Sequence, residues 1–388
     1  MLKRLGPTLI IAAVVLGPGS IVNSARVGCG FGYDMLWVVP MAGILMLSMT
    51  LGAMQIGIRS PDSMATAIRS RIGGWAAILV GGSLAFAIAL FQASNNHALL
   101  MAFDGLRNQE GTSQNGLLQV VGLLVFNGVL MWMWATGRGS LYRIIERGMI
   151  AFVALMAAAF LYSCYVAGPS LSGVLGGLVP KWPDESAGSD GAITTWKGLA
   201  ALLATTFSVA GAFYQTYQPK QKGWKVEDAR AAMVDALVGI GSLSIMTAVL
   251  VVTAASSLSG QVSLSELTDA AAVARLLTTS GSYSVQLFSI GVMAAALSSF
   301  VVNALIGGVV LADVLGKPTD LSSPAVRYCT IAMLAIGMTI SMVAILLDVA
   351  LVRFIVIAQS LVVFAFPILA ATLLWRFWTL SNERGTTP

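Results

Sequence analysis

The stretch Gly17-Pro18-Gly19-Ser20 interrupts an apolar run of membrane-spanning length at residues 6–27. The proline removes a backbone hydrogen-bond donor and clashes with the preceding turn, and the flanking glycines let the chain leave helical dihedral angles. A looser interruption, Ser208-Val209-Ala210-Gly211-Ala212, lies in a second run at 196–218. Unwound backbone within a bilayer is tolerated only where it lines a cavity inside the protein. The alternative is a pair of kinks that only shape helix packing.

The composition of the whole chain requires a lipid environment. Of its 388 residues, 57% are hydrophobic and 10% are charged, whereas soluble domains carry about 25% charged residues. The mean hydropathy of +0.84 agrees with this. The net charge of +5 comes from scattered basic residues and not from a stripe on one face, which argues against nucleic-acid binding. The chain is therefore predicted to be an integral membrane protein.

Ten apolar runs are long enough for a membrane helix, which needs about 20 residues. Runs such as 149–160 lack the two-residue alternation of a transmembrane strand, which favours an all-α protein. Lys3 and Arg4 resemble the start of a signal peptide, but the first run continues without a convincing cleavage pattern and is predicted as a span. The predicted spans are 6–27, 35–58, 74–101, 115–136, 146–167, 196–218, 231–255, 284–311, 326–347 and 350–375.

The basic residues predict the orientation of these spans. With the N-terminus inside, 16 of the 22 Lys and Arg residues lie in cytoplasmic segments and six on the opposite side, as the positive-inside rule requires. Both termini are therefore expected in the cytoplasm, with the chain in a bacterial-type inner membrane. The segment 168–195 becomes an external loop that connects residues 1–167, with helices one to five, to residues 196–388, with helices six to ten.

The two interruptions lie in the first helix of each predicted half. This pattern is typical of inverted-repeat secondary transporters, whose substrate binds near the midplane between two discontinuous helices, and it favours a cavity over packing kinks. The chain has no Gly-Lys-Ser/Thr phosphate-binding loop, which argues against ATP-driven transport. Cys29, Cys164 and Cys329 form no metal or disulfide pattern, and the single histidine lies in a span, so we expect neither a cofactor nor enzymatic activity.

Two motifs resemble those of a known family. The stretches Gly17-Pro18-Gly19-Ser20 and Gly30-Phe31-Gly32-Tyr33-Asp34-Met35-Leu36-Trp37-Val38 resemble the Asp-Pro-Gly-Asn and Phe-Gly-Tyr-x-Leu-Leu-Trp-Val motifs of the Nramp (natural resistance-associated macrophage protein) family of divalent-metal/proton symporters. The similarity covers most of the chain and includes Asp235, Ser298-Ser299, and Gln359 with Pro367. It implies the LeuT-type fold, with ten transmembrane helices as two inverted five-helix repeats and with helices one and six discontinuous.

The chain departs from this family at the metal ligands. The family has Asp and Asn in its first helix and Met-Pro-His in its sixth; the matching positions here are Gly17, Ser20, Gln215, Thr216 and Tyr217. Ala89 and Gln92 align with the paired acids of its third helix, and only Gln359 keeps its ligand type. An amide thus replaces the soft thioether that helps to select transition metals. We therefore expect no transition-metal site of the family type and assign no metal ligand.

The cavity expected between the broken helices is neutral and rich in amides. A half-helix that begins at Gly19-Ser20 would present N–H groups and the positive end of its dipole, which favours a carboxylate or a zwitterion. The ionisable residues inside predicted spans, His97 and Asp235, are candidates for proton coupling; for His97 the alternative is a neutral, hydrogen-bonded imidazole. The predicted substrate-binding residues are Gly17, Gly19, Ser20, Gln92, Gly211, Tyr214, Gln215, Tyr217, Thr247 and Gln359, with Asn95, Asn96 and Ala210 as further lining.

The sequence thus favours a Nramp-related secondary transporter that moves a small organic solute by alternating access. The first alternative is a transporter of a divalent cation, hydrated Mg²⁺ or a Mn²⁺-like ion, because amides and hydroxyls can hold a cation that keeps its water. The second is a non-transporting receptor or scaffold on the same fold. The expected partners are the substrate and the lipid bilayer, without nucleic acid. Passive facilitation stays open beside proton coupling, and a monomer is sufficient.

Overall fold

The computed structural model describes residues 16–106, 116–136, 140–183, 195–267, 273, 282–347 and 367–380. These residues form an all-α structure joined by turns and short 3-10 helices. Its helices are α1 (Pro18–Phe31), α2 (Val38–Arg59), α3 (Met64–Arg71), α4 (Gly74–Leu106), α5 (Gly116–Ala135), α6 (Ser140–Ala167), α7 (Leu171–Gly177), α8 (Thr195–Thr206), α9 (Val209–Tyr214), α10 (Gln218–Lys222), α11 (Ala229–Ser257), α12 (Ser282–Val314), α13 (Pro324–Leu346) and α14 (Pro367–Leu380).

The long helices coincide with the predicted spans. Within the described residues, six helices are long and apolar enough to cross a membrane on their own: α2, α4, α5, α11, α12 and α13. Helices α1 and α8 are shorter, as expected for the outer halves of two broken spans. The described part of the tenth predicted span, residues 367–375, lies in α14. Apolar length therefore predicts the membrane helices correctly, because the bilayer thickness sets it.

The helices pack into two groups. In the first group, α11 packs against α1 and α2, and α8 packs against the same two helices. In the second group, α12 packs against α4 and α13, with α5 on α13 and α3 on α4. Helix α6 contacts both α11 and α12. Small residues permit close approach inside each group: a Cβ at Gly28 would overlap the carbonyl oxygen of Val251, and one at Gly308 would overlap the hydroxyl of Thr330.

Helices α3 and α7 are short helices that the hydropathy pattern does not predict. Helix α3 follows α2 on the predicted cytoplasmic side, and Ser63 caps it by accepting the Thr66 N–H. Helix α7 lies within the segment predicted as an external loop and forms an angle of 116° with the end of α6. Neither helix is long enough to give a membrane signal. The division into halves at residues 167 and 196 stays a prediction.

Helix α1 begins at Pro18, within the stretch predicted as the first break. Gly17 is the N-cap of α1, with φ −74° and ψ 177°, and is therefore extended. Proline at the first helical position loses no hydrogen bond, because that N–H would have no intrahelical acceptor. The half-helix thus begins one residue earlier than the predicted start at Gly19.

The second break lies earlier than predicted. Helix α8 ends at Thr206, and Ser208 is extended, with φ −95° and ψ 100°. Ser208 caps α9 by accepting the Gly211 N–H, so Gly211 lies inside a short helix and not in unwound chain. A further turn, residues 215–217, separates α9 from α10. The glycine-alanine pattern shows that a break is near, but the cap at Ser208 fixes its position.

Candidate functional site

A close contact between α1 and α8 relates the depths of the two breaks. Gly198 of α8 approaches the Phe31 ring so closely that a Cβ would lie 2.6 Å from it. From this contact, at 1.5 Å per residue, α1 runs for about 20 Å to its start and α8 for about 12 Å to its end. Helix α8 therefore ends about 8 Å short of the level of Gly17, and Ser208 and α9 follow it. The start of α1 and residues 206–215 are the described segments at the two predicted breaks.

Thr206 is a candidate site residue that the sequence does not reveal. It is 0% exposed, and its hydroxyl has no hydrogen-bond partner among the described residues. It is the last residue of α8, where backbone carbonyls generally lack intrahelical donors; of these, the Leu203 carbonyl accepts the Phe207 N–H at 2.7 Å. Ser24 in α1 and Thr50 in α2 are fully buried hydroxyls of the same kind. The break thus offers buried oxygen atoms to a ligand.

Gln215 is the C-cap of α9, at the other end of this short helix from the break, and it begins the turn that packs on α2. It is 0% exposed, and its backbone N–H donates to the carbonyls of Ala212 (3.0 Å) and Gly211 (3.3 Å). Gly57 of α2 permits the backbone of Thr216, the residue after Gln215, to approach α2 closely. A Cβ at Gly57 would lie 2.5 Å from the Thr216 carbonyl oxygen. The amide of Gln215 is therefore held on a rigid turn, which suits a ligand-binding side chain.

Some of the backbone groups expected to bind the substrate form hydrogen bonds within the protein. The Gly211 N–H donates to the Ser208 hydroxyl at 3.1 Å, so it is not available to a substrate, contrary to expectation. The Gly17 carbonyl accepts the N–H groups of Ser20 (3.0 Å) and Ile21 (3.3 Å) as the first turn of α1 forms. Gly19 is half-buried beside its buried neighbours.

The hydroxyls of the two predicted tyrosines both donate hydrogen bonds within the protein. The Tyr217 hydroxyl donates to the Asp313 carboxylate at 2.6 Å, and the Tyr214 hydroxyl donates to Gln221 Oε1 at 3.2 Å. Both acceptors lie beyond the breaks, towards the end of the molecule that carries α3 and α10. The sequence could not show this because the partner of Tyr217 is 96 residues away along the chain.

The amides of α4 form a polar cluster with the second helix group. Asn95 donates to Ser299 Oγ at 3.2 Å, and Asn303 donates to the same oxygen at 3.1 Å. Asn96 accepts from Asn127 of α5 at 2.9 Å. A Cβ at Gly337 of α13 would overlap the Cβ of Gln92. The Cβ of Gln92 thus lies at the α4–α13 interface.

Of the remaining predicted residues, three lie in described helices and one lies outside the described chain. His97 Nδ1 lies 2.9 Å from the Ser341 hydroxyl of α13, as in the hydrogen-bonded alternative. Thr247 donates to the Leu243 carbonyl of its own helix at 3.1 Å. Asp235 is buried in the second turn of α11. Gln359 falls outside the described residues. Within the part of the chain that the structure describes, His, Cys, Asp and Glu form no group of three or more suited to a metal ion.

Comparisons with known proteins agree with this architecture. The family model described as natural resistance-associated macrophage protein-like (Nramp) matches residues 8–382. The divalent metal cation transporter MntH of Yersinia pestis is 24% identical over 318 residues, with 80% of this chain and 72% of that protein covered. MntH of Pectobacterium carotovorum is 24% identical over 320 residues with the same coverage.

Solved structures share the fold. A crystal structure of the Eremococcus coleocola manganese transporter mutant H236A has a TM-score of 0.80 and 18% identity, covering 95% of this chain and 78% of that one. MhsT in complex with L-phenylalanine has a TM-score of 0.55 and 18% identity, covering 92% and 87%. The expected LeuT-type fold, with discontinuous helices one and six, is confirmed.

These comparisons correct the expected cargo. The family match and the relatives named as divalent metal cation transporters overturn the expectation of a small organic solute. That expectation rested on the lost aspartate and on the positive end of α1, and it left out the buried oxygens at the end of α8. The predicted resemblance is confirmed over nearly the whole length. This chain is a membrane transporter of the Nramp family.

Proposed function

We propose that the chain carries a divalent cation across the membrane by alternating access and binds it at the helix breaks with part of its water retained. The curated relatives are named for divalent metal cations, which supports this class of cargo. The observation that carries the proposal is the Thr206 hydroxyl at the end of α8, which is buried and has no hydrogen-bond partner among the described residues. We assign the buried Gln215 amide, at the C-cap of α9, to the same site.

The end of α8 has the polarity that a cation requires. A helix C-terminus carries a partial negative charge on its unpaired carbonyls, and broken-helix transporters use such carbonyls to coordinate cations. Thr206 adds a hydroxyl oxygen at the same place. The positive end of α1 opposes a bare cation in direct contact with it, and retained water keeps the ion away from those N–H groups.

Retained water also follows from the side chains. Gly17 and Ser20 contribute no carboxylate, and Gln215 contributes no sulfur. Mg²⁺ gives up its water reluctantly, and amides with hydroxyls suit hard cations that stay partly hydrated. Without a thioether the site has little means to favour soft ions. We therefore expect Mn²⁺ and Mg²⁺ to bind with similar affinity.

Calorimetry on the purified protein tests this site. Thr206→Val and Gln215→Leu each remove a proposed oxygen ligand while keeping the volume of the side chain, and each should weaken Mn²⁺ and Mg²⁺ binding about tenfold, or about 1.4 kcal/mol. Thr253→Val is the matched control, because Thr253 is as buried as Thr206 but donates to the Val249 carbonyl of its own helix at 2.6 Å. Parent-like affinity in both site variants would reject the proposed site.

A further inference from the structure

A buried carboxylate joins three segments at the end of the molecule that carries α3 and α10. Asp313, at the end of α12, is 2% exposed. Its carboxylate accepts hydrogen bonds from the Ser63 hydroxyl, from the Ala65 N–H at 3.0 Å and from the Tyr217 hydroxyl at 2.6 Å. A buried carboxylate is stable only when such donors replace its water. Asp313 therefore holds the start of α3 and the turn after α9 together.

Further hydrogen bonds connect helices at the same end of the molecule. Lys220 of α10 donates to the backbone carbonyls of Pro61 (3.0 Å) and Asp62 (2.7 Å), just before α3. Arg69 of α3 donates to the Val314 carbonyl at 2.5 Å. Arg376 of α14 donates to the Ser60 hydroxyl at 2.8 Å. The positive-inside distribution of Lys and Arg assigns this end to the cytoplasm.

These contacts connect the two helix groups. Tyr217 lies beside α9 and α10, which pack on α2 of the first group, whereas Asp313 and α3 belong to the second group. Alternating access in this class of transporter is largely a rocking of one bundle against the other around a fixed site. A hydrogen bond between the groups must break when they separate at that end. The Tyr217–Asp313 hydrogen bond is such a contact.

We propose that Tyr217 and Asp313 form a cytoplasmic latch, and that release of Tyr217 from the Asp313 carboxylate opens the exit for the transported ion. The inference rests on the proposed function for the identity of the ion. Tyr217 follows Gln215 by two residues, so the same contact fixes the turn that carries a proposed ion ligand. Asp313 thus acts as a positioning residue through Tyr217, and it does not contact the ion.

Tyr217→Phe tests the latch with little risk to the fold. It removes one hydroxyl and keeps the ring, which packs near Phe213 and Tyr214 with centroids 6.2 Å away in each case. Asp313 keeps its other two donors. Asp313→Asn is the second variant, since it removes the charge and leaves the side-chain volume. Tyr328→Phe is the matched control. Tyr328 lies near the start of α13, and its side chain is 68% exposed.

The measurement is the labelling rate of a cysteine beside the latch. In a background where Cys29, Cys164 and Cys329 are replaced by alanine, Thr216→Cys places the only thiol in the turn that the latch holds. A membrane-impermeant maleimide is applied to inside-out vesicles without divalent cations. A hydrogen bond to a charged group is worth enough to change the open population about tenfold, so Tyr217→Phe should raise the labelling rate by about that factor, and Tyr328→Phe should not change it.

The result separates the latch from the identity of the ion. Parent-like labelling in folded Tyr217→Phe and Asp313→Asn proteins overturns the latch, whatever calorimetry shows for cations. If Asp313→Asn does not fold, Tyr217→Phe alone decides. A latch also predicts that Tyr217→Phe changes the maximal rate of flux more than the affinity for the ion. General destabilisation of the fold would instead lower the melting temperature, so faster labelling at an unchanged melting temperature supports the latch.

Discussion

Position 17 has a glycine where Nramp proteins carry an acidic ligand. Gly17 is buried and extended directly before Pro18. A carboxylate here would offset the positive end of α1 and would offer a direct ligand to an ion. We expect Gly17→Asp to strengthen Mn²⁺ binding by about tenfold or more, with a smaller gain for Mg²⁺ because it keeps its water. Calorimetry checks this, with Gly17→Asn as the neutral control. An equal gain in Gly17→Asn would show that charge is not the cause.

The side chain at position 215 affects the preference of the proposed site for soft over hard metal ions. Gln215 is an amide at the place where the family has methionine, and it is fully buried at the end of α9. Thioether sulfur prefers softer ions than amide oxygen does. Gln215→Met should therefore raise the ratio of Cd²⁺ to Mg²⁺ affinity by about tenfold, or about 1.4 kcal/mol. Competition binding measures the ratio directly. No change in it would place Gln215 away from the ion.

Sequence reasoning could identify some of these residues and not others. The motif next to Pro18 predicts Gly17 and Ser20 at the first break, and alignment with the family motif predicts Gln215. Thr206 carries no signal, because a threonine in an apolar helix commonly donates to its own backbone, as Thr247 and Thr253 do. Tyr217 reads as a pocket residue until its distant acceptor, Asp313, is known.

At the scale of the elements, the cap of α9 sets where the second break ends. Ser208 accepts the Gly211 N–H at 3.1 Å, and losing an N-cap costs about 1 kcal/mol. Ser208→Ala should lower the stability by about that amount and also weaken cation binding, because the cap lies between Thr206 and Gln215. Ser170→Ala removes a similar cap, Ser170 to the Gly173 N–H at 3.2 Å, from α7. It should cost similar stability and leave cation binding unchanged.

The elements were predictable to the extent that the bilayer sets them. Apolar length gives α2, α4, α5, α11, α12 and α13, since a span must match the hydrocarbon thickness. Helices α3 and α7 are short and need no membrane-like composition, so hydropathy is silent about them. The exact break before α9 depends on one serine cap, and apolar residues on both sides hide it.

At the scale of the whole molecule, the ion site and the latch belong to one motion. The broken helices lie in the first group, and hydrogen bonds at the Asp313 end tie that group to the second. Two rigid groups joined at one end can open only at the other until those bonds break. The sequence predicts the groups through the family fold, but the contacts between them depend on residues far apart in the chain.

The most direct test of the site is an anomalous-scattering map of crystals grown with Mn²⁺. The account predicts one peak between Thr206 and Gln215, separated from at least one of them by ordered water, and its loss in the Thr206→Val protein. A peak instead among the amides of α4 and α12, or a manganese ion without water at Gly17, would contradict the account.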